Sequence, residues 1–459
     1  MSVRSPLRVH LYGRHVADLL DAGGNAAVRY TPAAQQAPAR SRLSLSLPVR
    51  ESLYPATGPG GRFVRSLLPE GRTLAWAVEH FGIPEDDRFG LIAVLGRDVA
   101  GAVEVVAPGS ERSVDPRYEV LSNDELVAIV ERAHTKGLGL DRQRGIRLSL
   151  AGLQDKVLLH QVEGRYAAPI DGAPSTLIVK PEYQRDPRGE RHFDGIATNE
   201  LYCLTLARRC GFSVPPSRVE RFGGISALVV ERYDRQVEPD GTVRRIHQED
   251  LCSALGVDPL LKYEKPHAER HSPGGAWGAV AAAVARPGPT LRDLAGVLAE
   301  HVGRAKIAPF LQAVTFNVAI GNADAHARNY SVLLHEDGAV TMAPLYDLVS
   351  TRMWDWLDRD AAQSVAGEEE IDEITGRHLV EEAVTWDIPE TVARKHVTST
   401  LTAIERQRVA AVEESVASGG DAQVATRIAA MVRARLERML DHRSPEGAPR
   451  YRGARLREA

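Results

Sequence analysis

Cysteine is scarce in this chain: Cys203, Cys210 and Cys252 are the three among 459 residues. None forms a Cys-x-x-Cys pair, which argues against a zinc site or a disulfide framework and suits a reducing compartment. Long apolar runs are missing too. The most apolar stretch, residues 277–285, is too short and too rich in alanine to span a bilayer. The start, Met1 to Arg14, has neither an apolar core nor a cleavage pattern, so no signal peptide is expected. Nor is there a charge excess of one sign. The 57 Lys and Arg against 61 Asp and Glu leave a net charge of −4, which argues against a protein that coats nucleic acid by charge alone. Internal repeats are absent. These absences leave a cytoplasmic globular protein, with no membrane partner, long enough for two or three domains.

What is present centres on the run from Phe316 to Asp347. Within it, Asp324-Ala325-His326-Ala327-Arg328-Asn329 has a carboxylate and a carboxamide separated by four residues, on a loop after an apolar helical run. A second carboxylate, Asp347, follows 18 residues after Asn329. Phosphoryl transfer from ATP needs a base to orient the attacking hydroxyl and oxygen ligands for Mg²⁺. The spacing is that of a kinase catalytic loop, with Asp324 beside the hydroxyl and Asn329 on the metal. Asp347 then supplies the second metal ligand. An Asp and an Asn at this spacing occur by chance in most long chains; His326, the apolar flanks and Asp347 are what raise the pattern above that level. Asp-x-His-x-x-Asn also fits small-molecule phosphotransferases of the aminoglycoside and choline kinase type, so the motif indicates phosphoryl transfer before it indicates an acceptor.

Read in order, Leu7–Leu11 and Arg42–Leu47 alternate apolar and polar residues as half-buried strands do. Residues 63–70 and Thr73–Phe81 read as short helices broken at Pro69 and Gly71, 87–95 as a third helix, and 101–106 as a closing strand. A small α/β domain over residues 1–108 follows, with a linker to residue 116. Ser122 to Glu125 is a capping box before a helix. A Ser- and Gly-containing loop, Arg147 to Lys156, feeds a strand pair, 157–162 and 165–170, turning at Glu163-Gly164. Such a loop could lay Ala151, Gly152, Leu153, Gln154, Asp155 and Lys156 on nucleotide phosphates. It lacks both the Gly-x-Gly-x-x-Gly and the Walker A spacing, and alone it reads as a surface turn.

Lys180 ends a buried-type strand, and Glu200 lies early in the next helix, where it could hold the lysine by an ion pair. The strand 227–231 runs into Glu231, Arg232 and Tyr233, where a kinase hinge offers backbone groups to adenine. From about His247 the chain is expected to turn helical: 248–255, 291–302, 308–320, and further helices after Thr385. The acidic run Glu368 to Glu373 reads as a solvated loop or helix start. The Arg-rich end carries Arg433, Arg435 and Arg438 on a helix, with a disordered tail from Ser444.

With these residues in hand the chain resembles the HipA-type serine/threonine kinases, toxins of type II toxin–antitoxin systems. The matching stretches are Phe63 to Glu70 and Phe89 to Asp98 in the amino-terminal part. In the kinase part they are Ser149 to Lys156, His247 to Cys252, Gly321 to Asn329 and Pro344 to Asp347. The resemblance implies an α+β, protein-kinase-like two-lobed fold: an amino-terminal α/β domain (1–108), an N-lobe-like region (120–245), a mainly α-helical catalytic lobe (246–443) and the tail (444–459). It implies ATP and Mg²⁺ as cofactors, Asp324 as base, and Asn329 and Asp347 on the metal. Lys156 and Lys180 would lie on phosphates, and Glu231 to Tyr233 on adenine, with His326, Ala327, Arg328 and Tyr346 lining the nucleotide site. Ser149 would be an autophosphorylation site whose modification silences the kinase. A phosphoserine there adds nearly −2 charge where the phosphates of ATP must sit. The resemblance also implies a helix-turn-helix antitoxin partner of the HipB type that carries the complex to DNA, and a translation component such as an aminoacyl-tRNA synthetase as target. Leu348-Val349-Ser350 follows Asp347 in place of Phe-Gly, so protein-kinase switch logic does not carry over. Residues 354–376 match the family pattern poorly.

Overall fold

A computed structural model describes residues 4–109, 116–136, 156–182, 193–265 and 287–440. Strand β1 (Leu7–Leu11) buries Leu7, Val9 and Leu11, as its alternation predicts. It is central in a four-stranded antiparallel sheet with β2 (Arg14–Ala22), β3 (Asn25–Tyr30) and β4 (Val103–Val106), in the order β3-β2-β1-β4. Helices Pro59–Leu67, Gly71–Phe81 and Arg88–Leu95 accompany this sheet. Asp87 caps the last of them by accepting the Gly90 N–H at 2.9 Å.

The alternation of Arg42–Leu47 does not make a strand. Leu43, Leu45 and Leu47 are buried, but the backbone is irregular and bonds to side chains of the strand His247–Asp250 instead of a neighbouring ladder. The Leu45 N–H donates to Glu249 Oε1 at 2.6 Å, and the Leu43 carbonyl meets His247 Nε2 at 3.0 Å.

A second antiparallel sheet has six strands in the order β5-β7-β6-β8-β10-β9. These are β5 (Arg117–Val120), β6 (Val157–Val162), β7 (Arg165–Ile170), β8 (Leu177–Pro181), β9 (Ser217–Phe222) and β10 (Ile225–Glu231). The β6–β7 turn puts Glu163 at φ 50° and Gly164 at φ 77°, the paired positive values of a type I′ hairpin. The capping box forms: the Ser122 N–H donates to Glu125 Oε2 at 2.9 Å, opening helix Asn123–Lys136. One apolar cluster runs through both sheets, joining Val9, Leu91 and Val105 to Leu126, Val157, Val179 and Val229.

The rest is helical around a separate core. Ile307–Ile320 is apolar on nearly every face and correspondingly buried, as a central helix must be. It packs against Glu390–Ala417 and Ala422–Leu440. The arrangement is the mixed helix-and-sheet, kinase-like fold expected.

Two local expectations are corrected. Residues 248–250 belong to a strand, His247–Asp250, paired with Ser331–Leu334, and the helix begins only at Leu251. The reason lies in burial: His247 and Glu249 face inward, a period of two that helix spacing cannot satisfy. The acidic run is half strand: Glu368–Glu370 is paired, and only residues 371–373 form the turn expected of a loop. Glu368–Glu370 pairs with Asp360–Val365, and Asp372 is clasped by Arg352 at 3.1 Å, Arg359 at 3.4 Å and Arg435 at 2.5 Å.

Burial pushes the Glu249 carboxyl up from 4.5 to about 8. Folding therefore binds a proton that the unfolded chain releases above about 4.5. This contribution to stability is full below pH 4.5 and is lost as pH rises through about 8. Glu249→Gln keeps an acceptor for Leu45 without the titration, so its thermal midpoint is expected to fall less than that of wild type between pH 5 and 8. Parallel midpoint curves would show that Glu249 is ionised in the fold.

Candidate active site

The site begins with Lys180 near the end of β8. Val179 pairs with Val229 of β10 and Val157 of β6, so Lys180 is carried by an interior strand. Its Nζ donates to Glu200 Oε1 and Oε2 at 2.7 and 3.0 Å and to Asp347 Oδ1 at 2.9 Å. Glu200 comes from helix Ile196–Arg209, whose Ala197 and Leu201 pack on Leu228 and Val230 of β10. The ion pair proposed between strand and helix thus forms, and it reaches a third group. Burial opposes the ammonium, but Asp347 and Glu200 outweigh it and hold the Lys180 pKa above its ordinary value. In return, Lys180 holds the Asp347 carboxyl well below the usual carboxylate range.

Asp347 has φ 57°, a left-handed conformation that Asp tolerates better than most residues and that clusters at functional sites. Its side chain is 45% exposed, so the anion faces solvent. Asn329 Nδ2 donates to Asp347 Oδ2 at 3.3 Å, which brings the two expected metal ligands together. An ionised carboxylate beside a carboxamide is the hard-oxygen donor set that Mg²⁺ takes alongside water and phosphate oxygens.

Asp324 is exposed. Its Oδ1 accepts the Tyr263 hydroxyl at 2.7 Å. The loop that carries it is held by a ladder of amides. The Asp324 N–H donates to Asn322 Oδ1 at 3.1 Å, and Asn322 Nδ2 to Asn317 Oδ1 at 2.8 Å. Asn317 Nδ2 then donates to the Tyr330 hydroxyl at 3.1 Å. Gly321, at φ 72°, ends the preceding helix; a Cβ there would lie 2.7 Å from Arg352 Cγ, so only glycine fits. The buried His326 sets its ring edge-on to Tyr263 at 5.1 Å.

The remaining expected residues divide. Lys156 is buried, and burial, followed by the charge of Lys180, pushes its pKa down to about 8. Tyr346 lies 5.6 Å from Tyr233, ring to ring, and its hydroxyl donates to the Arg328 carbonyl at 2.6 Å. The Glu231 and Arg232 N–H groups already donate to Pro216 and Thr176 carbonyls at 2.9 and 2.8 Å. The Arg232 side chain turns away from the cleft into a buried ion-pair group with Asp98 and Asp234. Arg328 also turns away: its Nε donates to Asp250 Oδ2 at 3.0 Å, and it pairs with Glu70. Both side chains are committed to these ion pairs, and the Arg232 N–H and the Arg328 carbonyl are engaged as well. Ala327 is fully buried, its N–H donating to the Lys262 carbonyl at 3.1 Å. Ser149 and the loop residues Ala151, Gly152, Leu153, Gln154 and Asp155 lie outside the described residues, as does the tail from 444.

Sequence reasoning missed Tyr263, Lys262 and Glu70. Tyr263 sits in no periodic segment, and nothing local announces its reach to Asp324. Glu70 belongs to a stretch that carries the resemblance, but the sequence reads it only as the end of a short helix, 63–70.

The family model described as HipA-like C-terminal domain matches residues 148–409, and that described as HipA N-terminal domain matches residues 7–106. This chain belongs to the HipA family. "Putative kinase Y4mE" of Sinorhizobium fredii is 36% identical over 67% of this chain and 69% of its own length. The serine/threonine-protein kinase toxin HipA of Shewanella oneidensis is 28% identical over 77% and 76% respectively. Among solved structures, a chain from the Shewanella oneidensis MR-1 complex of HipA, HipB and operator DNA superposes with a TM-score of 0.77. It is 25% identical over 95% of this chain and 97% of that one. By family the chain is a HipA-like kinase. Among the described residues no helix is long and apolar enough to cross a membrane.

Proposed function

We propose that this chain is an ATP- and Mg²⁺-dependent serine/threonine protein kinase that acts as a toxin. The observation that carries the reading is the junction of Lys180 with Glu200 and Asp347, with Asn329 beside it. Lys180 would neutralise nucleotide phosphates, and Asp347 and Asn329 would hold Mg²⁺. When bound, the ion would offset the charge that develops on the phosphates. Asp324 would accept the acceptor's proton at its carboxylate, where the hydroxyl of Tyr263 now donates. Because Asp324 is exposed, a side chain presented on a protein surface can reach it.

Ser149 is the proposed site of self-modification, and an aminoacyl-tRNA synthetase the proposed class of target. A helix-turn-helix antitoxin of the HipB kind is the proposed partner. The named neighbours that support this are the HipA toxin and the HipA, HipB and operator DNA complex. The proposed division of the chain keeps residues 1–108, 120–245 and 246–443 as its units.

The test is the intact mass of purified protein after incubation with MgATP, for wild type and Ser149→Ala. The expected result is one added phosphate in wild type and none in Ser149→Ala. The Asp-x-His-x-x-Asn pattern favours a second reading, a small-molecule phosphotransferase. It predicts no added mass and ATP consumption only when a small alcohol or sugar is supplied.

A further inference from the structure

We infer that Glu70, from the amino-terminal domain, is a positioning residue for the catalytic loop; the inference deepens the kinase reading and rests on it. Glu70 sits just ahead of helix Gly71–Phe81, with its side chain 13% exposed. Its carboxylate meets two cations, pairing with Arg328 and lying 3.1 Å from Lys262 Nζ. Both are buried, at 7% and 9% side-chain exposure. They approach Asp324 from opposite directions along the chain. Arg328 is inside the catalytic loop, directly before Asn329. Lys262 directly precedes Tyr263, whose hydroxyl meets Asp324 at 2.7 Å.

The backbone ties the same two segments. The Lys262 carbonyl accepts the Ala327 N–H at 3.1 Å and Gln363 Nε2 at 2.9 Å. Arg328 Nη2 donates to the Ser66 carbonyl at 3.1 Å, a second grip by the amino-terminal domain, and its Nε to Asp250 at 3.0 Å. One carboxylate from outside the kinase lobes therefore bridges two buried cations beneath the catalytic loop, and with Asp250 on Arg328 the two positive charges are matched by two negative ones. Without it, Asp250 is left to serve Arg328, and Lys262 loses its ion pair. The loop bearing Asp324 and Asn329 then keeps its backbone ties but loses the ion pairs that join Arg328 to Lys262 beneath it. Misplacement on the order of 1 Å at a reacting group costs about a hundredfold in rate.

Another ion pair across the seam between the domains joins Arg65 to Asp258, which caps the turn Pro259–Leu261 with a side-chain oxygen that Asn retains. It supplies the control. Wild type, Glu70→Gln, Glu70→Asp and Asp258→Asn are compared as full-length proteins by two readouts. One is the steady-state rate of phosphate transfer with KM for ATP; the other is amide hydrogen exchange over residues 322–330. The expected result for Glu70→Gln is a fall in kcat of about ten- to a hundredfold, with KM for ATP within about twofold and faster exchange over the loop. Glu70→Asp should restore part of the rate, and Asp258→Asn should match wild type in both readouts. Unchanged exchange in Glu70→Gln overturns the inference, as does an equal loss of rate in Asp258→Asn. A wild-type protein that transfers no phosphate sinks the kinase reading alone, and exchange still decides whether Glu70 holds the loop.

Discussion

Asp324→Asn is expected to lower phosphate transfer by about a thousandfold while leaving MgATP affinity within about twofold of wild type. The carboxamide has nearly the same shape and can still accept the Tyr263 hydroxyl, so the loop keeps its place. It cannot take a proton from an attacking hydroxyl at neutral pH. Asp324 makes none of the contacts that join Lys180, Glu200, Asp347 and Asn329, so nucleotide binding is spared. Asp347→Asn should behave differently. Lys180 would keep Glu200 but lose the anion that Asp347 presents to solvent, and the proposed Mg²⁺ ligand set would lose its one charge. Nucleotide affinity should then fall along with rate. Isothermal titration with MgATP beside single-turnover transfer separates the two variants. If Asp324→Asn transfers phosphate at the wild-type rate, Asp324 is not the base, whatever else the motif does.

How much of this was legible in the sequence depends on the range of the interaction. Elements announced by local periodicity were readable: β1, the β6–β7 hairpin, the capped helix after Ser122, and the apolar helix before Gly321. Those that failed were decided from a distance. Leu43, Leu45 and Leu47 alternate because they face a core, but the backbone between them is satisfied by side chains of Glu249 and His247 some two hundred residues on. His247–Asp250 carries a helix-like composition and is drawn into a strand by Ser331–Leu334. Asp372 sits in an acidic run that looks solvated until Arg352 and Arg435 close on it.

The same distinction holds in the site. Asp324, Asn329 and Asp347 are close enough in sequence to be read as a pattern, and Lys180 with Glu200 follows from a strand leading to a helix. Arg328 shares that pattern, yet its side chain serves Glu70, because a loop residue's direction is set by what lies beneath the loop. Tyr263, Lys262 and Glu70 carry no motif of their own. Tyr263 and Lys262 meet the loop from about sixty residues away in the same lobe, and Glu70 meets it only once the amino-terminal domain is docked; no local spacing encodes either.

That docking rests on a buried charge group, and Asp98→Asn is expected to remove about 3–5 kcal/mol of stability, one of the largest single-residue effects in the chain. Asp98 is wholly buried. It accepts from Arg235 at 2.8 Å, Arg245 at 2.9 Å, and the Ser175 N–H and hydroxyl at 3.0 and 2.7 Å, with Arg232 at 3.5 Å. Burial resists the ionised form, yet the three guanidiniums hold the carboxyl far below its usual range. Around them, Asp234 pairs with Arg232 and Arg235, and Glu104 with Arg245 at 3.0 Å, so three anions balance three cations. Neutralising Asp98 leaves three buried guanidiniums against two carboxylates in a place water does not reach, and it is the excess charge, more than the lost attraction, that costs. The loss should appear as a lower denaturant midpoint. Because Asp98 belongs to the amino-terminal domain and Arg232 to the strand end beside Tyr233, MgATP binding should weaken as well. A double variant, Asp98→Asn with Arg245→Met, restores two against two and is expected to recover part of the midpoint. A double variant no more stable than Asp98→Asn alone would place the cost in the lost hydrogen bonds of Ser175 instead of the unbalanced charge.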